Sequence, residues 1–279
     1  MKYCLTYYHS AFEKGVFDEV IIKYDKENAN VVPFAQEEAK DVRLILNMSD
    51  YEWDYDNDDV RSALPIIQML MNVHNDIAIM LSTGQTDFAQ ELLKLGIPFF
   101  YNKIAETWDE LVSLVYAGVS DVYIGSELGF EIKDVSRVCH THNVKVRAYP
   151  NVAQTSAPFK NISTITAFFI RPEDVDLYEK YIDVMQFFGP KDRQRVLHQI
   201  YSKQSWPGKV SDIIIGLESD INNSAIAPRF AEGRINCKKR CNQDRCNLCE
   251  NVFIFGQTLG DSGHKFKEKR SPQYETDEE

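Results

Sequence analysis

A chain of 279 residues with 44% hydrophobic and 26% charged side chains can bury a sizeable core, and its length suits one large α/β barrel. A net charge of -11 excludes non-specific coating of nucleic acid, which needs clustered Lys and Arg. No stretch reaches the roughly 18 apolar residues of a membrane span, and "MKYCLTYYHSAFEKG" is too polar for a signal-peptide core, so the reading is cytoplasmic, with no membrane partner and thiols kept reduced.

In chain order, "YCLTYYH" (3–9) is β-rich and of strand length. "FDEVIIKYD" (17–25) suits either an extra strand or part of a helix. "VRLILNM" (42–48) is a second clear strand. The acidic loop "SDYEWDYDNDDV" (49–60) spaces Asp54, Asp56 and Asp58 like a calcium loop. However, the sixth position is Asp59 where glycine is required, and the twelfth is Pro65 where Glu is usual, so the calcium reading fails and two remain: a solvated loop, or a gate over the active face.

Further strands are expected at "DIAIMLS" (76–82), "IPFFYN" (97–102), "DVYIG" (121–125), "VKVRAYPN" (144–151), "TITAFFI" (164–170) and "DVMQFFG" (183–189). Amphipathic helices separate them. "DFAQELLKLG" (87–96) ends at Gly96, as a helix C′ position favours. "TWDELVSLVYAG" (107–118) opens on Thr107 with Glu110 three residues on, the pattern of a capping box. "EIKDVSRVCHTHN" (131–143), "PEDVDLYEKYI" (172–182) and "DRQRVLHQIYSKQS" (192–205) complete the set, with Pro172 in a first turn that tolerates it.

Eight hydrophobic strands alternating with helices argue for a parallel sheet covered on both faces, and eight closes a TIM-like (β/α)8 barrel. A doubly wound open sheet is the alternative, weakened for dinucleotide binding by the lack of a G-x-G-x-x-G. The expected division is a barrel over 1–217, a cysteine-rich metal-binding appendix over 218–255 and a disordered tail over 256–279.

Barrel chemistry sits at the C-terminal ends of the strands. Those ends offer Glu127 as an acid or base, with Arg147, Tyr149, Asn151 and Arg171 as further catalytic candidates. His9, Lys191 and Arg193 are candidates for holding an anion, the last two in "GPKDRQRV" (189–196), where a strand gives way to a helix N-terminus. The mouth therefore reads as cationic and suited to an anionic small molecule or a nucleobase-containing substrate. His140 and His142 read as surface residues, and Cys4 and Cys139 as small buried hydrophobes.

The densest signal is "INCKKRCNQDRCNLCE" (235–250). Cys237, Cys241, Cys246 and Cys249 can wrap one metal centre, and their spacing leaves an iron–sulfur cluster and zinc equally open.

"LVYAGVSDVYIGSELGFEIKDVSRVCHTHNVKVRAYPN" (114–151) resembles the collagenase-like peptidase family of barrel proteins, in the strand Asp121 to Gly125, the Gly129–Phe130 loop, Asn143 to Val146, and Asn151. "FFIRPEDVDLYEKYIDVMQFFGPKDRQRVLHQIYSKQS" (168–205) is similar to a second segment of that family. The resemblance implies a TIM-like barrel carrying a 4Fe-4S cluster, with relatives that hydroxylate ubiquinone precursors or RNA bases. This chain departs from them in its cysteine spacing and in Pro190, where relatives carry Arg. Three functions follow as expectations: a hydroxylase-like modification of a nucleobase or aromatic ring, a non-catalytic zinc-binding scaffold contacting protein or nucleic acid, and a peptidase, for which the sequence shows no nucleophile and base.

Overall fold

The computed structural model describes residues 1–7, 15–24, 31–37, 39–49, 58–152, 169–216, 222–226 and 230–236. Along the chain these form β1 (Lys2–Tyr7), β2 (Glu19–Lys23), α1 (Val31–Glu37), β3 (Arg43–Asn47), α2 (Asp58–Val73), β4 (Ile77–Leu81), α3 (Thr86–Lys94), β5 (Phe99–Tyr101), β6 (Ile104–Ala105) and α4 (Trp108–Tyr116). There follow β7 (Asp121–Ile124), α5 (Ser126–Phe130), α6 (Ile132–Thr141), β8 (Lys145–Ala148), α7 (Val175–Tyr178), β9 (Val184–Gln186), α8 (Lys191–Ser202), α9 (Val210–Ile213) and α10 (Phe230–Ile235).

Every strand pairing is parallel, in the order β5-β4-β3-β2-β1-β9-β8-β7-β6. The two ends of that order are consecutive in the chain, separated only by Asn102 and Lys103. The Ser120 amide also donates to the Phe99 carbonyl at 2.7 Å, and the Gly125 amide to the Ala105 carbonyl at 2.8 Å. The sheet thus curls back on itself into a barrel-like ring. The runs RLILN of β3 and IAIML of β4 are almost wholly buried, as strands covered on both faces must be.

One open choice is decided here and one expectation is corrected. "FDEVIIKYD" supplies a full strand, β2, between β1 and β3. "TITAFFI" supplies none between its neighbours: β8 pairs directly with β9, and the described end of that run, Phe169 and Ile170, is buried outside the sheet. Phe169 and Ile170 pack into the core, and the Ile170 amide donates to the Pro150 carbonyl at 3.2 Å.

The helices form for the reasons their sequences suggest. In α3, Phe88, Ala89 and Leu92 share the buried face, each large side chain contributing about 1.5–3 kcal/mol, and Gly96 ends it with φ of 68°. In α4, Thr107 Oγ1 accepts from the Glu110 amide while Glu110 reaches back to the Thr107 amide, closing the capping box. In α6, Ile132, Val135, Ser136 and Cys139 line the inner face.

The stretch after α8 is stitched to the C-terminal end of the sheet. The Ile215 amide donates to the Asn151 carbonyl at 2.7 Å, and Arg171 Nη1 to the Ile226 carbonyl at 3.3 Å. Ile226, Ala231 and Ile235 are buried, and Lys133 in the first turn of α6 donates to Asn236 Oδ1.

Candidate active site

Viewed from the first strand residues upward, the enclosed space starts with charge. Glu19, Arg43 and Asp121 open β2, β3 and β7, and Arg147 stands third in β8. Arg43 donates to both Asp121 oxygens, at 2.7 and 2.8 Å. Arg147 Nε donates to Asp121 Oδ1 at 2.9 Å and its Nη2 to Glu19. Burial alone would raise the Asp121 carboxyl, but the two guanidiniums outweigh it and hold Asp121 well below the usual carboxylate range. Arg147 is completely buried, with Phe100 under its guanidinium at 5.0 Å and Tyr123 at 5.6 Å. Its charge is matched inside the ring, at the end away from the mouth.

Above this layer the lining turns neutral and aromatic. Tyr123 and Tyr149 stack at 5.0 Å with their planes 8° apart, and Phe188 meets Tyr149 edge-on at 6.4 Å. Tyr123 donates its hydroxyl to Gln186 Oε1, and Gln186 Nε2 donates to Thr6 Oγ1 at 3.1 Å. Burial, and then Tyr149 beside it, push the Tyr123 phenol well above its ordinary value, so it stays a donor at any physiological pH. Phe188 is 58% exposed and carries the aromatic surface out to solvent.

The other sequence candidates are distributed as follows. Asn151 is buried at the mouth, its Nδ2 donating to the Phe188 carbonyl at 2.8 Å and its Oδ1 accepting from the Phe188 amide at 2.9 Å. Arg171 is buried and forms a two-pronged pair with Asp174, at 2.6 and 2.8 Å. Lys191 opens α8, and Arg193 folds over Gly189 with Nη2 3.5 Å from the Asp212 carbonyl. Glu127 lies in α5, but its side chain is outside the described residues, as are His9 and all of Cys237, Cys241, Cys246 and Cys249. Tyr149 and Asn151 therefore meet at the mouth, whereas Arg147 and Arg171 are each committed to carboxylates elsewhere. Among the described residues no group of three or more His, Cys, Asp or Glu could hold a metal, and no helix is long and apolar enough to cross a membrane.

Sequence reasoning missed Thr6, Tyr123, Gln186 and Glu106. The first three face inward by strand alternation, a signal open to anyone who knew the register. Glu106 was hidden because the run "IPFFYN" is followed, after a break at Asn102 and Lys103, by the short strand β6, and Glu106 lies just past the end of β6 at Ala105. A Cβ on Gly125 would stand 2.0 Å from a Glu106 carboxylate oxygen, so that carboxylate lies directly over the end of β7.

One further arrangement has the order of a nucleophilic relay. Ser136 Oγ lies 3.2 Å from His140 Nδ1, and His140 Nε2 2.9 Å from Asp183 Oδ2. Ser136 is only 4% exposed, and Asp183 Oδ2 also accepts from the Val146 amide at 2.8 Å. The chain ties the last turn of α6 to the starts of β8 and β9, at the end away from the mouth, and presents no nucleophile to solvent.

No protein-family model matches the chain, and no curated protein does. Solved structures do match. A 4-hydroxy-2-oxoglutarate aldolase/2-deydro-3-deoxyphosphogluconate aldolase from TTHB1 is 9% identical with a TM-score of 0.40, over 72% of this chain and 93% of its own. A native KDPGal structure is 12% identical with a TM-score of 0.42, over 67% and 81%. A glycerophosphodiester phosphodiesterase from Parabacteroides distasonis is 13% identical with a TM-score of 0.36, over 60% of each chain. These are likenesses of fold alone and carry nothing about chemistry.

Proposed function

We propose that the chain is a (β/α)8-type barrel enzyme that binds a planar aromatic ring, nucleobase-like, at its mouth, and modifies it by a hydroxylase-like reaction. The observation that carries this reading is the Tyr123–Tyr149 stack, continued by the exposed Phe188 edge. Offset stacking on tyrosine accepts any ring with a π-face, and Thr6 and Gln186 beside it offer hydrogen bonds to a ring edge. Glu127, three residues past the end of β7 at Ile124, is the proposed acid or base.

In this reading Cys237, Cys241, Cys246 and Cys249 hold a 4Fe-4S cluster, as the resemblance to the collagenase-like peptidase family implies; four thiolates in one run suit that donor set. The cluster would supply one-electron redox capacity. Support for its nearness to the mouth comes from Asn236, the residue before Cys237, which is held to the first turn of α6 by Lys133. The chain's own residues stack the ring, satisfy its edge and keep Arg147 out of reach of a substrate anion.

The zinc-binding scaffold is the second reading, favoured by the matching of Arg147 and Arg171 within the protein, which removes two cations that an anionic substrate would need. Anaerobic purification with metal analysis and visible spectroscopy separates the two. A brown protein with a broad band at ~400 nm, bleached by dithionite, supports the cluster; a colourless protein releasing one zinc sinks the redox reading.

A further inference from the structure

The hydrogen-bond chain beside the tyrosine stack has a direction. It starts at Tyr123, whose phenol burial keeps protonated, so it donates. Gln186 Oε1 accepts that proton, which orients the amide and sets Nε2 toward Thr6 Oγ1 at 3.1 Å. An amide nitrogen can only donate, so Thr6 Oγ1 accepts. Each bond fixes the next, and the order runs outward from the buried ring.

The chain ends at Thr6. Tyr123 and Gln186 are buried, whereas Thr6 is partly exposed, one residue before the end of β1 on the mouth side. Its backbone is fixed as well. The Thr6 amide donates to Oε1 of the buried Gln194 at 2.9 Å, and Gln194 Nε2 donates to the Gly189 carbonyl at 2.7 Å. The Thr6 hydroxyl proton makes no bond to any described residue. With one lone pair taken by Gln186, the hydroxyl has that proton and one lone pair to offer. A hydroxyl that already accepts a bond is also a stronger donor. A ring N–H would use the lone pair and strand the proton, which costs more than leaving one of two lone pairs idle.

We propose that Thr6 sets the specificity of the mouth, favouring rings whose edge carries a hydrogen-bond acceptor, an oxo group or an unprotonated ring nitrogen, over rings that present only an N–H. This selectivity rests on the ring-binding reading and can fail while that reading stands.

The test is calorimetry on the full chain with two bicyclic rings of similar size: quinoline, whose one nitrogen accepts, and indole, whose one nitrogen donates. Quinoline should bind about tenfold tighter than indole. Thr6→Val should bring quinoline down to the affinity of indole, and Thr6→Ser, which keeps the hydroxyl, should keep the preference. Gln186→Glu still accepts from Tyr123 but draws the Thr6 proton inward, since two hydroxyl donors favour the ionised carboxylate; at about pH 8 indole should then bind tighter than quinoline. The Thr6 pair decides the matter even if Gln186→Glu does not fold. Binding of neither ring, or binding untouched by Tyr149→Leu, would overturn the ring platform and this selectivity with it. Binding that needs Tyr149 but shows no preference for quinoline, a preference that survives Thr6→Val or is lost in Thr6→Ser, or an order that a folded Gln186→Glu leaves unreversed would overturn the selectivity alone.

Discussion

Arg43 and Asp121, 78 residues apart in sequence, face each other across the ring as a two-pronged ion pair at 2.7 and 2.8 Å. Both are buried, and removing one partner leaves an uncompensated charge where water cannot reach it. Arg43→Met should therefore destabilise the protein by about 3–5 kcal/mol, while Arg43→Met/Asp121→Leu should recover part of that loss. Urea denaturation of both single variants and the double variant measures the coupling. Additive losses would show that the pair does not act as a unit.

The same carboxylate sets an acid limit on stability. The Asp121 carboxyl is depressed in the folded state from an ordinary value of 3.8. A depressed carboxylate contributes stability that is fully present above the unfolded value and is lost as pH falls through the folded one. Unfolding free energy should thus be insensitive to this group at neutral pH and fall as pH drops below about 4. Asp121→Asn should be less stable at neutral pH and show a shallower decline in acid, measured by thermal melts at stepped pH.

How much of this the sequence disclosed depends on whether the controlling interaction is local. The α4 capping box was legible because Thr107 and Glu110 are three residues apart. The strands were legible as β-rich runs, except where burial and sheet membership part company: Phe169 and Ile170 are as buried as strand residues, yet the Ile170 amide donates to the Pro150 carbonyl and the Ile170 carbonyl accepts from the Tyr201 hydroxyl at 2.6 Å. Arg147 read as a mouth cation because it lies near a strand end. Its carboxylates come from residues 26 and 128 positions away, and only the register brings them together. Tyr149 and Asn151 reached the mouth as expected because they lie beyond the last residue of β8, where position alone decides.

Asn151 acts as an extra rung between the ends of β8 and β9. Its amide meets both the amide and the carbonyl of Phe188, and its own carbonyl receives Ile215. Asn151→Ala removes both side-chain bonds and should cost roughly 1–3 kcal/mol. Asn151→Asp keeps the acceptor for the Phe188 amide but turns the donor into an acceptor facing a carbonyl, so it should cost at least as much despite its closer shape. Hydrogen exchange at the Phe188 amide should quicken in both variants. Unchanged exchange would detach Asn151 from this role.

Gly125 is a glycine for the sake of its neighbour. Its φ of -93° is open to any residue, but an added Cβ would stand 2.0 Å from the Glu106 carboxylate. Glu106 is exposed, and the contact is with the far end of a flexible side chain, so Gly125→Ala should cost under about 1 kcal/mol while displacing Glu106 from the mouth. A melting temperature lowered by many degrees would mean that the backbone, and not Glu106, resists the methyl group.

The hydrogen-bond chain from Tyr123 through Gln186 to Thr6 separates stability from ring binding at the mouth. Tyr123→Phe keeps the stack with Tyr149 but leaves buried Gln186 Oε1 without its phenol donor, so it should cost about 1–3 kcal/mol. Tyr149→Leu leaves the Tyr123–Gln186 bond intact but removes the upper ring. If a planar ring binds there, adenine titrated into the full chain should quench tyrosine fluorescence, and Tyr149→Leu should weaken that binding by roughly 1–3 kcal/mol while Tyr123→Phe changes it less. The two variants should therefore exchange order between a denaturation curve and a binding curve. The same order in both would make the tyrosine pair a packing feature and leave the mouth without its ring platform.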